Sequence, residues 1–374
     1  MTANTIAPRI EAGRTQDRLG RVAVIAAFLW SLTAIPIGLW QLLDPSGGPF
    51  THELYQPSFY FPASAPDWIG PALLITAGVI GLLAARAKPK LWPLTALYAV
   101  VFGLVLSTIS PISLAGYLCA FLMPALIVAG PTLLARGRVW RTVAALATAG
   151  VFAALAVTGV IDLVAAGEFL KMLGGRLAEI GAYMAVQVWI VVGAGIWTAL
   201  TLILLLTGRE DRPAPAWLAP ERAAKWGRAA SWLAFASSLP YGVTRLTWLT
   251  PWVWAGGPLE SADIDMATRV WGLSLGFAAI GGGVLCLGLT QRWGTRWPAW
   301  MPVLKGRPVP PKVAIVPATA MAVLFTFMSV PMVALGIRQD ALELVWGFPF
   351  YIWGPALGAA TLAYAIRRGS VTVR

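Results

Sequence analysis

The chain has 374 residues, of which 58% are hydrophobic and only 12% charged. Soluble domains carry about 25% charge, so this composition excludes a water-soluble fold of such length. The net charge of +12 does not mark a nucleic-acid binder, because the basic residues sit in short stretches between apolar runs and build no continuous basic face.

In chain order, the N-terminal stretch carries Arg9, Arg14, Arg18 and Arg21 ahead of an apolar run from Val22 to Leu43. A signal-peptide core is about 7–15 residues long, so this run reads as a first membrane span and not as a cleavable leader. Further apolar segments lie near 68–86, 91–110, 113–135, 140–162, 179–206, 228–250, 268–290, 313–337 and 342–366. Each approaches the roughly 20 residues that cross about 30 Å of hydrocarbon as a helix. The expected fold class is therefore an all-α integral membrane protein with about ten transmembrane helices. Between the third and fourth spans "STISPISL" leaves almost no loop, and Pro111 is the natural break, since proline removes a donor and disfavours helix in the residue before it. Cys119 and Cys286 fall inside spans and read as small buried apolar residues, with no disulfide framework.

Orientation follows from Lys and Arg. With the N-terminus in the cytoplasm, the inner segments are the tail, "RAKPK", "ARGRVWR", "GREDRPAPAWLAPERAAKWGR", "QRWGTRWPAWMPVLKGRPVPPK" and "RRGSVTVR". The outer segments hold only Lys171, Arg176, Arg269 and Arg338 at their edges, and carry Asp44, Glu53, Asp67, Glu168, Glu179, Glu260, Asp263, Asp265 and Asp340. This alternation obeys the positive-inside bias and places both ends inside. Many of the 19 Trp residues lie near span ends, where an amphipathic indole settles at headgroup level. The stretch 292–302, "RWGTRWPAWMP", reads as lying along the inner surface.

The first four spans resemble the last four. Aligned on proline, "LTAIPIGLWQLL" (32–43) and "ASSLPYGVTRLT" (236–247) match Pro36 to Pro240, Gly38 to Gly242 and Gln41 to Arg245. Outer loops with Gly47, Gly48, Pro49 and Gly256, Gly257, Pro258 follow, and "TISP" (108–111) recurs loosely as "MSVP" (328–331). An even number of spans separates equivalent members, so the halves share one orientation, as in parallel-repeat transporters. The expected organisation is a cytoplasmic tail (1–20), a first four-helix repeat (21–136), two bridging helices with a cytoplasmic loop (137–225), and a second four-helix repeat (226–374). Gly272, Gly276, Ala279 and Gly283 form a small-residue stripe for close helix packing.

Arg245 lies about one and a half turns from the outer end of the seventh span, roughly 8 Å deep. It reads either as a snorkelling anchor or as part of a polar pocket. Pro240 and Gly242 one turn below can open the helix, as can Pro36 and Gly38 in the first span. Tyr241 is at i−4, within cation–π reach, and Asp44 lies one turn beyond Gln41 as a counter-ion. The candidate ligand-binding residues are therefore Arg245, Tyr241, Gln41 and Asp44, suited to an anionic or amphipathic headgroup. Gln187, near the middle of the sixth span, is a helix-bridging candidate. His52 and Glu53 in the long loop 44–67 make a poor zinc site, which needs three or four ligands, and no metal, cofactor or catalytic set is expected. There is no P-loop, no H-E-x-x-H, and no Asp or Glu at the centre of any span, which disfavours proton coupling through an intramembrane acid.

"LPYGVTRLTW" (Leu239–Trp248) and the "P-x-W-x-P-x-L-x-G-R-x-V-P" stretch from Pro298 to Pro310 resemble a pattern in uncharacterised multi-span membrane proteins of high-GC bacteria. The resemblance covers the C-terminal repeat, implies a bacterial inner membrane, and implies no activity. Three function classes stand open. One is a transporter-like or small-molecule-binding protein with an outward-facing pocket between the repeats. The second is a non-catalytic scaffold or partner subunit for another membrane protein. The third is a membrane-embedded lipid-modifying enzyme, weakened by the lack of an acid–base pair. Membrane lipids are expected partners in each.

The topology has a direct test. In a Cys119→Ala, Cys286→Ala background, cysteines placed at Lys88 and at Lys305 should react with a membrane-impermeant thiol reagent from the same face of sealed vesicles.

Overall fold

A computed structural model describes residues 7–45, 66–84, 89–116, 137–157, 163–207, 215–249, 266–299 and 304–370, with single positions at 50, 118, 129, 130, 132 and 135. Regular structure among the described residues is helical, apart from one antiparallel bridge between Arg296 and Pro308. The helices are α1 (Ala7–Leu43), α2 (Ile69–Ala84), α3 (Trp92–Val100) continued by a π-helical turn (Val101–Val105), α4 (Ser110–Gly116), α5 (Gly137–Val157), α6 (Leu163–Thr207), α7 (Pro220–Leu246), α8 (Met266–Gly288), α9 (Pro311–Arg338), α10 (Leu342–Gly347) and α11 (Phe350–Arg367).

Gly20–Leu43, Ala178–Leu205 and Pro311–Arg338 are long and apolar enough to cross a membrane. The pair Trp92–Val105 and Ser110–Gly116, bent by 70°, makes a fourth if counted as one broken span. Ile69–Ala84 and Gly272–Gly288 are apolar but shorter. Of the ten expected spans, these three or four meet the length and hydropathy of a membrane crossing among the described residues. In α7 the charges Glu221, Arg222, Lys225 and Arg228 and three serines lower its apolar character.

Packing divides the helices into two groups. In the first, α1 packs on α2 and on α6, and α3 packs on α6. In the second, α7 packs on α8 and on α11, and α9 packs on α11. The two meet where α9 touches α6 and the π-helical turn. Each group has its own apolar core, one around Trp30, Tyr98, Phe102 and Trp197, the other around Phe325, Phe350, Trp353 and Tyr364. The sixth apolar segment, expected as a bridge, thus lies inside the first bundle as α6. Most of the fourth expected span lies outside the described residues.

The two helix hairpins close on glycine in the same way. A Cβ on Gly38 of α1 would meet the Ile75 side chain and the Pro71 carbonyl of α2. One on Gly242 of α7 would meet the Ile280 side chain and the Gly276 carbonyl of α8. On the opposing helices, Gly78 abuts Ser31, Ala34 and Ile35, and Gly283 abuts Phe235 and Ser238. Small residues allow such backbone approach where lipid supplies no hydrophobic drive between helices.

Two expectations about helix ends are corrected. α1 and α7 run unbroken through Pro36 and Pro240, so neither proline opens its helix, and Gly38 and Gly242 serve helix contact instead. Membrane helices tolerate proline when neighbouring groups re-satisfy the backbone. The break expected at Pro111 lies just before it, at residues 106–109, with Pro111 inside the first turn of α4, where its missing N–H costs nothing. The expected tenth span is also interrupted, at Phe348 and Pro349 between α10 and α11.

Candidate functional site

The first bundle is shut by aromatic rings. Trp30 stacks on Trp189 at 4.5 Å between centroids and meets Phe102 edge-on at 4.6 Å. Tyr98 packs on Trp197 at 4.3 Å. Gly193 leaves the room that Trp30 occupies. The Trp30 indole donates to the Trp189 carbonyl, and the Trp189 indole donates to the Thr33 hydroxyl. The Tyr98 hydroxyl crosses to α2 and donates to the Ala77 carbonyl at 2.6 Å. That bond ties α3 to α2 along the side where their backbones do not pack.

Below this cluster the third span breaks, and the break is polar and buried. The Ser107 hydroxyl donates to the Gly103 carbonyl at 2.6 Å. The Thr108 hydroxyl donates to the Gln187 side-chain oxygen at 3.1 Å, and the Ser110 and Tyr183 hydroxyls bond at 2.8 Å. Thr108 and Gln187 are fully buried. Non-helical backbone at membrane depth survives only where protein satisfies it, and α6 supplies those partners here. Phe327 of α9 fills the space left by Gly103, so the break also carries the contact between bundles.

Among the described residues the second bundle is open. A cleft of about 700 Å³ runs between α8 and α9, with α11 behind and α4 across it. Ala279, Gly282 and Cys286 line it from α8, Ala314, Ala318 and Met321 from α9, and Leu357 from α11. Ile112 and Gly116 of α4 contribute one rim. Among the described residues no charged side chain lines it, and the hydroxyls are those of Ser113 and Tyr241. From Leu275 to Leu289 along α8 the lining spans about 20 Å at 1.5 Å per residue. That is a hydrocarbon-shaped space: the size lies within the range of small-molecule pockets, but the wall offers almost nothing to a polar ligand.

At one end of the cleft lies a cap whose described residues are 292–299 and 304–309, with Trp293, Trp297 and Pro298 lining the space. Backbone bonds hold it from Trp297 to Arg307, Gly306 to Trp297 and Val309 to Thr295. α11 grips it from below. The Tyr364 hydroxyl donates to the Gly294 carbonyl at 2.8 Å, Arg368 donates to the Val309 carbonyl at 2.8 Å, and Arg367 donates to the Leu289 carbonyl. Arg292, Arg296, Lys305, Arg307 and Lys312 remain exposed on its surface.

At the far end stands Tyr241, its ring 4.5 Å from that of Phe348. Arg245 lies half-buried behind it, with its guanidinium 5.1 Å from the Tyr241 ring centre and 4.1 Å from that of Trp248. Its stem crosses Gly276 of α8. The structure therefore brings together Arg245 and Tyr241, and of the two only Tyr241 lines the cleft. Gln41 is buried at the end of α1, where its side chain donates to the Pro45 carbonyl and accepts from the Phe50 backbone N–H. Asp44 is exposed at the same turn. These two belong to the α1–α2 end of the first bundle. His52, Glu53, Asp263 and Asp265 lie outside the described residues. Sequence reasoning singled out Gln187 but missed Ser107, Thr108, Ser110 and Tyr183. A cluster of hydroxyls around Pro111 was the available signal. It also missed the cleft, because alanine and glycine in a span read as packing surface.

Comparison with protein-family models, curated proteins and solved structures finds no match to this chain.

Replacing Gln187 with Leu removes the acceptor of the buried Thr108 hydroxyl. An unmet buried hydroxyl costs about 1–3 kcal/mol, so Gln187→Leu should lower the thermal unfolding temperature in detergent by several degrees, whereas Gln187→Glu should recover most of it.

Proposed function

We propose that this chain is a multi-pass protein of the bacterial cytoplasmic membrane that binds, and in transporter-like fashion passes, a ligand with a long hydrocarbon portion held in the α8–α9 cleft. The observation that carries this is the cleft itself, a space walled among the described residues almost wholly by apolar side chains. Exposed Val313 and Leu285 flank it, as expected of helices bordering acyl chains. The pocket envisaged from sequence moves accordingly. It lies within the second bundle, with Tyr241 at one end, rather than between Arg245 and Gln41.

The proposal includes an internal duplication, with α6 and α11 as the fourth members. The Pro36–Pro240 register pairs Gly38 with Gly242 and Ala34 with Ser238, and those residues make matching contacts on α2 and α8. The same contacts pair Ile75 with Ile280 and Gly78 with Gly283. Gly20 faces Ile203 and Gly227 abuts Ala363, contacts that agree with an alignment of α6 on α11 in which Gly193 falls at Leu357. Trp30 facing Gly193 then becomes Ala234 facing Leu357, a volume exchanged across one contact.

In this register the Pro111–Pro331 match pairs Tyr98 with Ala318, and the hairpin match pairs Ala77 with Gly282. Tyr98 bonds Ala77 and shuts the first bundle. Ala318 and Gly282 both line the open cleft of the second. The second bundle is the first without its tie. Phe102 and Trp197 likewise become Ala322 and Thr361.

Filling the cleft tests the function. The variant Ala318→Tyr, with the full chain purified into lipid nanodiscs, should lose labelling of the 275–289 and 313–321 segments by a lipid carrying a photoreactive group on its acyl chain, while keeping the wild-type helical content. Unchanged labelling of those segments would refute the cleft as a ligand site.

A further inference from the structure

We infer that the ligand of the α8–α9 cleft is an anionic amphiphile, a lipid with a phosphate-bearing headgroup, seated with its headgroup against the basic cap and its chain between the helices. This rests on the cleft being a ligand site and adds the chemistry and orientation of what it takes.

The two ends of the cleft differ in charge. At the cap, the stretch from 291 to 312 holds five cations, Arg292, Arg296, Lys305, Arg307 and Lys312, and no Asp or Glu. Arg292 and Arg296 flank the lining residues Trp293 and Trp297, and Lys312 precedes the lining residue Val313. At the other end the lining is Tyr241, Phe348 and Met332, and the nearby cation Arg245 is engaged by the rings of Tyr241 and Trp248. A ligand with one charged end and one apolar end therefore has a single favourable orientation.

A basic loop on the inner side of a membrane protein ordinarily does no more than fix topology. This one differs in being a folded platform. Its backbone is bonded to itself through Trp297, Gly306 and Arg307, and α11 clamps it through Tyr364 and Arg368. Gly294 is pressed so closely on the Gly288 backbone that no side chain fits there. Arg292 and Arg296 are thus carried on a folded backbone beside the two indoles at the cleft's end, and indoles favour the headgroup level of a membrane. Lys and Arg near an anionic membrane surface each favour it by a factor of about five, and Arg in particular pairs well with phosphate oxygens.

The experiment compares two lipids that differ only in the headgroup. The full chain is placed in phosphatidylcholine nanodiscs containing a small fraction of either phosphatidylglycerol or phosphatidylcholine with the same photoreactive acyl chain, and crosslinked peptides are mapped by mass spectrometry. The expected result is at least about fivefold more labelling of the 275–289 and 313–321 segments by phosphatidylglycerol, a preference that shrinks in about 0.5 M salt. The triple variant Arg292→Gln, Arg296→Gln, Lys312→Gln changes exposed residues only and should bring the two lipids to parity. Equal labelling by both lipids in the wild type, still abolished by Ala318→Tyr, would overturn the headgroup inference and leave the cleft intact. Labelling indifferent to Ala318→Tyr would remove the cleft reading, and this inference with it.

Discussion

The Tyr98 hydroxyl donates across the gap between α3 and α2 to the Ala77 carbonyl, and much of this molecule turns on whether that contact exists. Helices in lipid gain little from apolar contact alone, because the surrounding chains are as apolar as their own side chains. A bundle side is therefore closed by interdigitating rings or a hydrogen bond, or it stays open to hydrocarbon. In the first bundle Tyr98, Trp30, Phe102 and Trp197 do the closing. At the α8–α9 side of the second bundle, Ala279, Gly282, Ala314 and Ala318 are among the residues that face the space.

The broken third span ties these two states together. Its first part, with Tyr98 and Phe102, belongs to the core of the closed bundle. Its second part, α4, forms a rim of the open cleft. Between them the chain leaves the helix for only a few residues, and Thr108 and Ser110 find partners on α6 in Gln187 and Tyr183. A π-helical turn just before the break is the kind of irregularity that accompanies functional sites in helices.

The membrane character and the helical class were legible in the sequence, because apolar runs and loop charge are averages over many residues. The proline and glycine match between 32–43 and 236–247 also pointed to real contacts, with Gly38 and Gly242 meeting equivalent partners. What those residues do was misjudged. Proline and glycine signal weakness in an isolated helix, but here a neighbouring helix fills the groove that glycine leaves, and the helices continue unbroken through both prolines. Arg245 drew attention as a rare charge, yet its guanidinium is occupied by two rings of its own helix. The cleft was illegible because it arises from what is missing. A lining of Ala279, Gly282, Ala314 and Ala318 reads the same along the chain whether the opposite helix is near or far, and only the packing of α9 on α11 rather than on α8 decides it.

The most direct measurement is an experimental density map of the protein extracted with its native lipid. The account predicts a continuous tubular density between α8 and α9, passing Ala318 and Gly282 and ending beneath Trp293 and Trp297, with side-chain density alone in the corresponding space between α2 and α3. A map in which α8 and α9 pack directly together, leaving no room for a chain beside Ala318, would contradict it.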